Sequence, residues 1–281
     1  MKGKICIVTG ANSGIGKATS LGLAKMGATI VMVCRNKERG EKALNEIKEE
    51  INDDSADLML VDLSSQKEIY DFVKDYKTRY QKLHVLINNA GVNLSKRTMT
   101  EDGIETTFAV NTIAPFLLNN LLLDTLQKSS PSRIINVVSS VHARSFHFDD
   151  LYGEKHYHQI RIYSQSKLAT ILLSYELTRR IEGSSVTVNC VHPGYVKTNM
   201  VRNFRKFVKY FYHLVGLFLS SPKRGARGSI YLASSPEVEG VTGKFFNKKK
   251  ETKTNKASYD KNLAREVWKL CTDLTEGKVK K

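Results

Sequence analysis

The chain is short of the residues that mark several whole classes of protein. Its 281 residues hold four cysteines, Cys6, Cys34, Cys190 and Cys271, with no C-x-x-C pair. Three of them sit in apolar runs that read as buried strands. That is the usage of a reducing, cytoplasmic compartment, and it argues against a zinc site. Histidine clusters at His142, His147, His156 and His158, but no acid or cysteine stands at ligand spacing, so no metal site is expected. Long hydrophobic runs are missing too. The greasiest stretch, Phe207 to Leu219, includes Lys209 and His213 and is about 13 residues, where a membrane-spanning helix needs about 20. Ile5 to Val8 reads as a strand close behind Met1, so no signal peptide is expected. Acidic residues are few, 28 against 44 basic ones, and the formal charge of +16 favours anionic partners such as nucleic acid, acidic lipid or a phosphorylated cofactor. No recognition helix, zinc finger or aromatic RNA-binding pattern is present and lysine is spread along the chain, so nucleic acid is not expected as a partner.

What is present is an ordinary globular composition, 41% hydrophobic and 26% charged. Strand-length apolar runs alternate with helix-period segments. The strands run Lys4 to Thr9, Thr29 to Cys34, Ala56 to Val61, His84 to Asn88, Arg133 to Ser139, Ser185 to His192 and Gly243 to Phe246. Helices are expected from about Gly14, over Lys37 to Glu50, Gln66 to Tyr80, Glu101 to Leu126, Ile160 to Arg180, Ser221 to Ala233 and Asp260 to Leu274. Strand then helix, repeated with right-handed crossovers, predicts an α/β fold: a doubly wound, mostly parallel sheet of seven strands with helices on both faces. No linker or repeat interrupts it, so residues 1–281 are expected to form a single domain.

The first strand ends in Thr9-Gly10-Ala11-Asn12-Ser13-Gly14-Ile15-Gly16, directly before a helix. Glycines there let the backbone approach a pyrophosphate, whose charge meets the free N–H groups and the positive dipole end of the helix. The second strand ends in Cys34-Arg35-Asn36, where an NAD enzyme usually places an acid for the ribose 2′-hydroxyl. Arginine at that place can pair with a 2′-phosphate, which favours NADP(H) over NAD(H); the bland alternative is a surface arginine beside the next helix.

Two tyrosines have lysine four positions on, Tyr70 with Lys74 and Tyr163 with Lys167, and the spacing alone puts either pair on one helix face. Context separates them. Tyr70 lies in a charged surface helix, whereas Tyr163 follows the fifth strand, whose C-terminal end carries Ser139 and Ser140 where such sheets bind ligands. A lysine cation one turn away favours the phenolate, which makes Tyr163 the candidate acid/base, Lys167 its tuner and Ser140 a hydroxyl that orients a substrate oxygen.

At this point the chain resembles the short-chain dehydrogenase/reductase family over nearly its whole length. The resemblance is carried by the glycine loop, by Asp62-Leu63, and by Asn88-Asn89-Ala90-Gly91 with Asn111. It is carried further by Ser140, by Tyr163-Ser164-Gln165-Ser166-Lys167, and by Pro193-Gly194-Tyr195-Val196-Lys197-Thr198. It implies a Rossmann-type oxidoreductase acting on an alcohol or carbonyl. It further implies that Asp62 and Leu63 line the adenine pocket, that Asn89, Ala90 and Gly91 flank the cofactor, and that Asn111 helps hold the lysine and a relay water. Lys167 would also bind the nicotinamide ribose, Pro193, Gly194 and Val196 would line the nicotinamide end, and Thr198 would contact the carboxamide. Cys34-Arg35-Asn36, His147-Phe148, Leu151 to Lys155 and His192-Pro193-Gly194 make the chain most similar to the retinol dehydrogenase group, which implies a lipophilic substrate. Members of the family are often oligomers.

After Thr198, Phe204, Phe207, Phe211 and Phe218 recur at helical spacing with Arg202, Arg205 and Lys209 largely opposite. The segment near 199–221 reads as a plain amphipathic helix or as a substrate lid suited to peripheral contact with an anionic membrane. Two other classes stay in view: a non-catalytic dinucleotide-binding regulator, and a basic protein of membrane surfaces.

Overall fold

Strands β1 (Ile5–Thr9) and β2 (Thr29–Cys34) are almost wholly apolar and buried on both faces, as strands of a helix-covered parallel sheet must be. The computed structural model describes residues 1–196 and 220–276. Between and beyond these strands come α1 (Gly14–Ala24), α2 (Lys37–Ile51), β3 (Ala56–Leu60), α3 (Gln66–Arg79) and β4 (Val85–Asn88). Serine and asparagine start the helices for a local reason: the Asn36 and Ser65 side chains accept hydrogen bonds from Arg39 N and Glu68 N, groups that would otherwise lack a partner.

The long helix expected over 101–126 is instead broken into pieces. A short turn, α4 (Thr106–Phe108), leads into a π turn (Ala109–Ile113), then α5 (Ala114–Leu121) and α6 (Leu123–Lys128). Pro115 explains the irregularity, since it has no N–H to give the carbonyl of Asn111 four residues earlier. That carbonyl accepts the Thr170 hydroxyl at 2.8 Å instead. The chain then continues through β5 (Ser132–Val137), α7 (Gln159–Arg180), β6 (Val186–His192), α8 (Pro222–Ser234), β7 (Lys244–Asn247), β8 (Lys250–Glu251) and α9 (Lys261–Thr275).

The sheet runs in the order β3-β2-β1-β4-β5-β6-β7-β8. The seven expected strands are all present and all parallel; β8, two residues long, adds an antiparallel eighth through the tight turn at Lys248 and Lys249. Two charged residues carry no alternating pattern, so β8 left no trace in the sequence. Ile7, Leu86, Phe108, Leu118, Leu172 and Val267 belong to the core on one face, while Val8, Leu23, Ile47, Ile87 and Leu232 belong to that on the other.

Inside the first core lies a buried polar chain. Asn88 Nδ2 donates to Asn119 Oδ1 at 2.7 Å and to Asn136 Oδ1 at 2.8 Å, and Asn136 Nδ2 donates to Ser174 Oγ at 2.8 Å. These bonds tie β4, β5, α5 and α7 together. Asn136→Ala strips partners from both Asn88 and Ser174, and should cost about 2 to 3 kcal/mol in urea unfolding. A loss below about 0.5 kcal/mol would mean that the chain does not couple these elements.

Candidate functional site

The sheet's order reverses between β1 and β4, so the helices after these two strands leave toward opposite faces and the C-terminal strand ends stay uncovered. A cavity of about 750 Å³ opens there. Gly10, Asn12, Ser13, Gly14, Ile15 and Gly16 line it from β1, Arg35 and Asn36 from β2, Asp62 and Leu63 from β3, and Asn89, Ala90 and Gly91 from β4. Tyr163 and Lys167 line it from α7, and Pro193, Gly194 and Val196 from the end of β6. Residues far apart in sequence are thus gathered into one cleft. Thr198 and the expected lid lie outside the described residues.

At the glycine loop the backbone takes conformations that favour glycine, with Gly10 at φ 65° and Gly14 at φ 56°. A Cβ on Gly16 would lie 2.3 Å from the Gly10 carbonyl oxygen and 2.5 Å from Asn89 Nδ2, so this glycine is demanded by packing. A Cβ on Gly14 would meet nothing within 4 Å, because it would point into open space. Ser13, at the start of α1, makes no side-chain cap and the first turn holds no acid. The N–H groups and dipole of α1 are therefore left for a ligand, and an anionic pyrophosphate fits them.

At the β2 end, Arg35 Nη1 donates to Asp62 Oδ2 at 3.1 Å while the rest of its side chain stays largely exposed. Burial pushes the Asp62 carboxyl up, but hydrogen bonds from Ser64 and from Arg35 outweigh it and hold the group below its ordinary value. Arg39, one turn into α2, also lines the cavity; the sequence reading missed it, although its place on the first turn of α2 was legible.

Deeper in, Lys167 is only 4% exposed, and its ammonium donates to the Val137 carbonyl at 3.2 Å. Burial pushes its pKa down to about 8. The ammonium lies 5.8 Å from the centre of the half-buried Tyr163 ring. Tyr70, the other tyrosine of the pair, is exposed on α3 and is no part of the cavity. The side-chain hydrogen bonds of Asn111 run to Val92 and Ser166. Its carboxamide accepts from Val92 N at 2.8 Å and donates to Val92 O and Ser166 Oγ at 3.0 Å, so it pins the end of β4 to α7 beside Lys167. Of the two serines, Ser139 is buried and lines the cavity, its Oγ accepting from Val141 N. Ser140 sits exposed at the rim and donates to the Tyr195 hydroxyl at 3.5 Å.

Two further residues here, His192 and Tyr195, stand in quoted motifs of the sequence but were given no role there. His192 lines the cavity with its ring edge toward Tyr195, and burial, helped by Lys248 and His142, drives its imidazole down to about 4. Tyr195 crosses the mouth. Neither has a spacing signal, since both depend on where β6 ends relative to β5. Among the described residues no three His, Cys, Asp or Glu side chains are placed to hold a metal ion.

The family described as short chain dehydrogenase matches residues 4–209. The chain is 41% identical to retinol dehydrogenase 14 of Homo sapiens, over 96% of this chain and 85% of that one. It is 39% identical to retinol dehydrogenase 11 of Homo sapiens, over 98% and 86%. A solved structure of a Mycobacterium paratuberculosis protein superposes with a TM-score of 0.79 at 27% identity, covering 98% of this chain and 94% of that one. The matched span holds both the uncapped α1 of the glycine loop and the buried lysine of α7, and from it we conclude that the chain belongs to the short-chain dehydrogenase/reductase family of dinucleotide-dependent oxidoreductases.

Proposed function

We propose that this protein interconverts a lipophilic alcohol and its aldehyde or ketone, with NADP(H) as the hydride carrier. One observation carries the reading: a tyrosine paired with a buried lysine opens into the same cavity as a glycine loop built to hold a pyrophosphate. The nicotinamide ring of the bound cofactor supplies or accepts the hydride. The protein's own task is the proton. The Tyr163 hydroxyl gives a proton to the carbonyl oxygen in reduction and takes one from the alcohol in oxidation. A free phenol is a poor base at neutral pH; the Lys167 ammonium, in a site shielded from water, favours the phenolate. Ser140 orients the substrate oxygen once its hydroxyl turns from Tyr195, and Asn111 holds the turn after Gly91 against α7.

Arg35 just after β2 and Arg39 in the first turn of α2 support the choice of NADP(H), since both line the cavity where a 2′-phosphate would lie. Leu94, Val110, Val138, Val141 and Ile160 on the cavity wall support an apolar substrate, as does the likeness to the two retinol dehydrogenases. Retinoid-like compounds are the first to test.

For the cofactor, Arg35→Asp replaces a charge-assisted contact of about 1.5 to 3 kcal/mol by a repulsion. NADPH binding should weaken by at least that much while NADH binding barely moves; a wild type that already prefers NADH would sink the assignment. For the chemistry, Tyr163→Phe should lower turnover about a hundredfold or more and leave NADPH affinity nearly unchanged. Tyr70→Phe should behave as wild type, and equal losses in both variants would overturn the choice of Tyr163.

Lys167 yields a third expectation. Its folded pKa of about 8 lies below the unfolded value, so between pH 8 and 10.5 the unfolded chain binds the extra proton and stability rises with pH. At neutral pH the buried charge is a cost on the order of 3 kcal/mol. Cofactor-free Lys167→Met should therefore be inactive yet more stable than wild type at pH 7, with a flatter rise toward pH 10. A destabilised Lys167→Met would show that the ammonium is compensated.

A further inference from the structure

Helix α8 and the turn between β7 and β8 carry Lys223, Arg224, Arg227, Lys248, Lys249 and Lys250, all exposed. Among the described residues none of the six makes a salt bridge. Helix α8 holds no acid, Glu251 is taken by Lys244 at 3.1 Å, and Glu237 accepts from the Tyr231 hydroxyl. Glu50 of α2 feels Lys223 but is held by Lys25 at 2.9 Å. Two of the cations stand in the first turn of α8, where the helix dipole favours acids, so local helix stability does not explain them.

The turn lies against the helix. A Cβ on Gly228 would lie 2.6 Å from the Lys248 carbonyl oxygen, which shows how closely the turn packs on α8, and the Lys249 ammonium lies 5.3 Å over the Tyr231 ring. Both adjoin the cavity. A Cβ on Gly225 would come within 2.6 Å of Val196 and 3.2 Å of Ile15, and Lys248 N donates to the His192 carbonyl at 2.8 Å. Topology requires this closeness, because β7 ends and α8 begins on the edge of the sheet where the cavity opens. At that same mouth Tyr195, Ile160 and Val141 are 65%, 53% and 42% exposed.

A basic field beside an apolar opening matches a bilayer with anionic headgroups. A nucleic-acid backbone would satisfy the cations and leave the apolar rim in water. We propose that α8 and the β7–β8 turn dock this protein on an anionic membrane surface, with the cavity mouth turned toward the lipid. The purpose of the docking rests on the lipophilic substrate proposed above; the docking itself does not. It draws nothing from the segment Phe204 to Phe218. No helix among the described residues is long and apolar enough to cross a membrane, and the docking proposed is a peripheral contact.

Flotation with phosphatidylserine–phosphatidylcholine vesicles and with phosphatidylcholine vesicles, each at low and high salt, tests the proposal. The wild type should float with the anionic vesicles only, and high salt should release it. Each exposed cation near an anionic bilayer strengthens binding roughly fivefold. The triple variant Arg224→Glu, Lys249→Glu, Lys250→Glu should therefore bind about a hundredfold more weakly or worse, while its unfolding midpoint and its turnover of a short water-soluble aldehyde stay unchanged. A matched triple on the opposite edge of the sheet, Lys2→Glu, Lys82→Glu, Lys128→Glu, should keep binding within a few fold. Equal loss in both triples would trace binding to net charge and overturn the surface. A wild type that ignores anionic vesicles at low salt, or that binds duplex DNA in their place, would overturn the membrane. If the wild type floats as expected but turns over short and long aldehydes alike, the docking stands and the lipophilic-substrate reading falls.

Discussion

Strands β1 and β4 lie side by side and parallel, yet the chain leaves them toward opposite faces, to α1 on one and to α4 through α6 on the other. No helix can then cover their C-terminal ends, and the two loops that follow must share the gap. Thr9 fastens them together: its hydroxyl accepts from Asn89 N at 2.9 Å and Ala90 N at 3.0 Å, and its carbonyl accepts from Asn89 Nδ2 at 2.8 Å. The glycine loop and the end of β4 thus form one rigid floor. Arg35, Asp62 and the Pro193 loop reach the cavity around it because their strands end on the same edge, and Tyr163 reaches it from the start of α7.

Several elements that break local rules sit on this floor. Helix α1 goes without a side-chain cap, a lysine is buried with a carbonyl as partner, Asn111 rides in a π turn, and a histidine is held neutral by burial. Each costs stability taken alone, and each leaves a donor, a charge or a fixed side chain at the cavity or its edge. The apolar cores on both faces of the sheet offset that cost. Away from the cavity the rules are mostly kept: Ser65, Ser221 and Asp260 cap their helices, and α2, α3 and α9 bury one face each.

Much of the site was legible in the linear chain because its parts are local. Gly10 to Gly16 form one loop, and Tyr163 and Lys167 lie one turn apart on one helix. The residues given no role there are in place through pairings between distant segments. Tyr195 faces Ser140 because β6 follows β5 in the sheet, and the lysines of the β7–β8 turn border the cavity because β7 pairs with β6. Ser139 and Ser140 show the same limit within two residues: past the end of β5 one is buried and the other exposed, and two adjacent serines in a sequence do not tell which.

The linear chain settled the fold class, the alternation of seven strands with helices, and the family, because hydrophobic period and short motifs depend on neighbours along the chain. It also determined that positive charge would dominate. Packing alone revealed that Arg35 is engaged by Asp62 and that Pro115 diverts the Asn111 carbonyl to Thr170. Only it gathered the scattered lysines of two elements beside the mouth. Burial, electrostatic partnership and the adjacency of surfaces are properties of packed distance, and distance in space is what a list of residues does not contain.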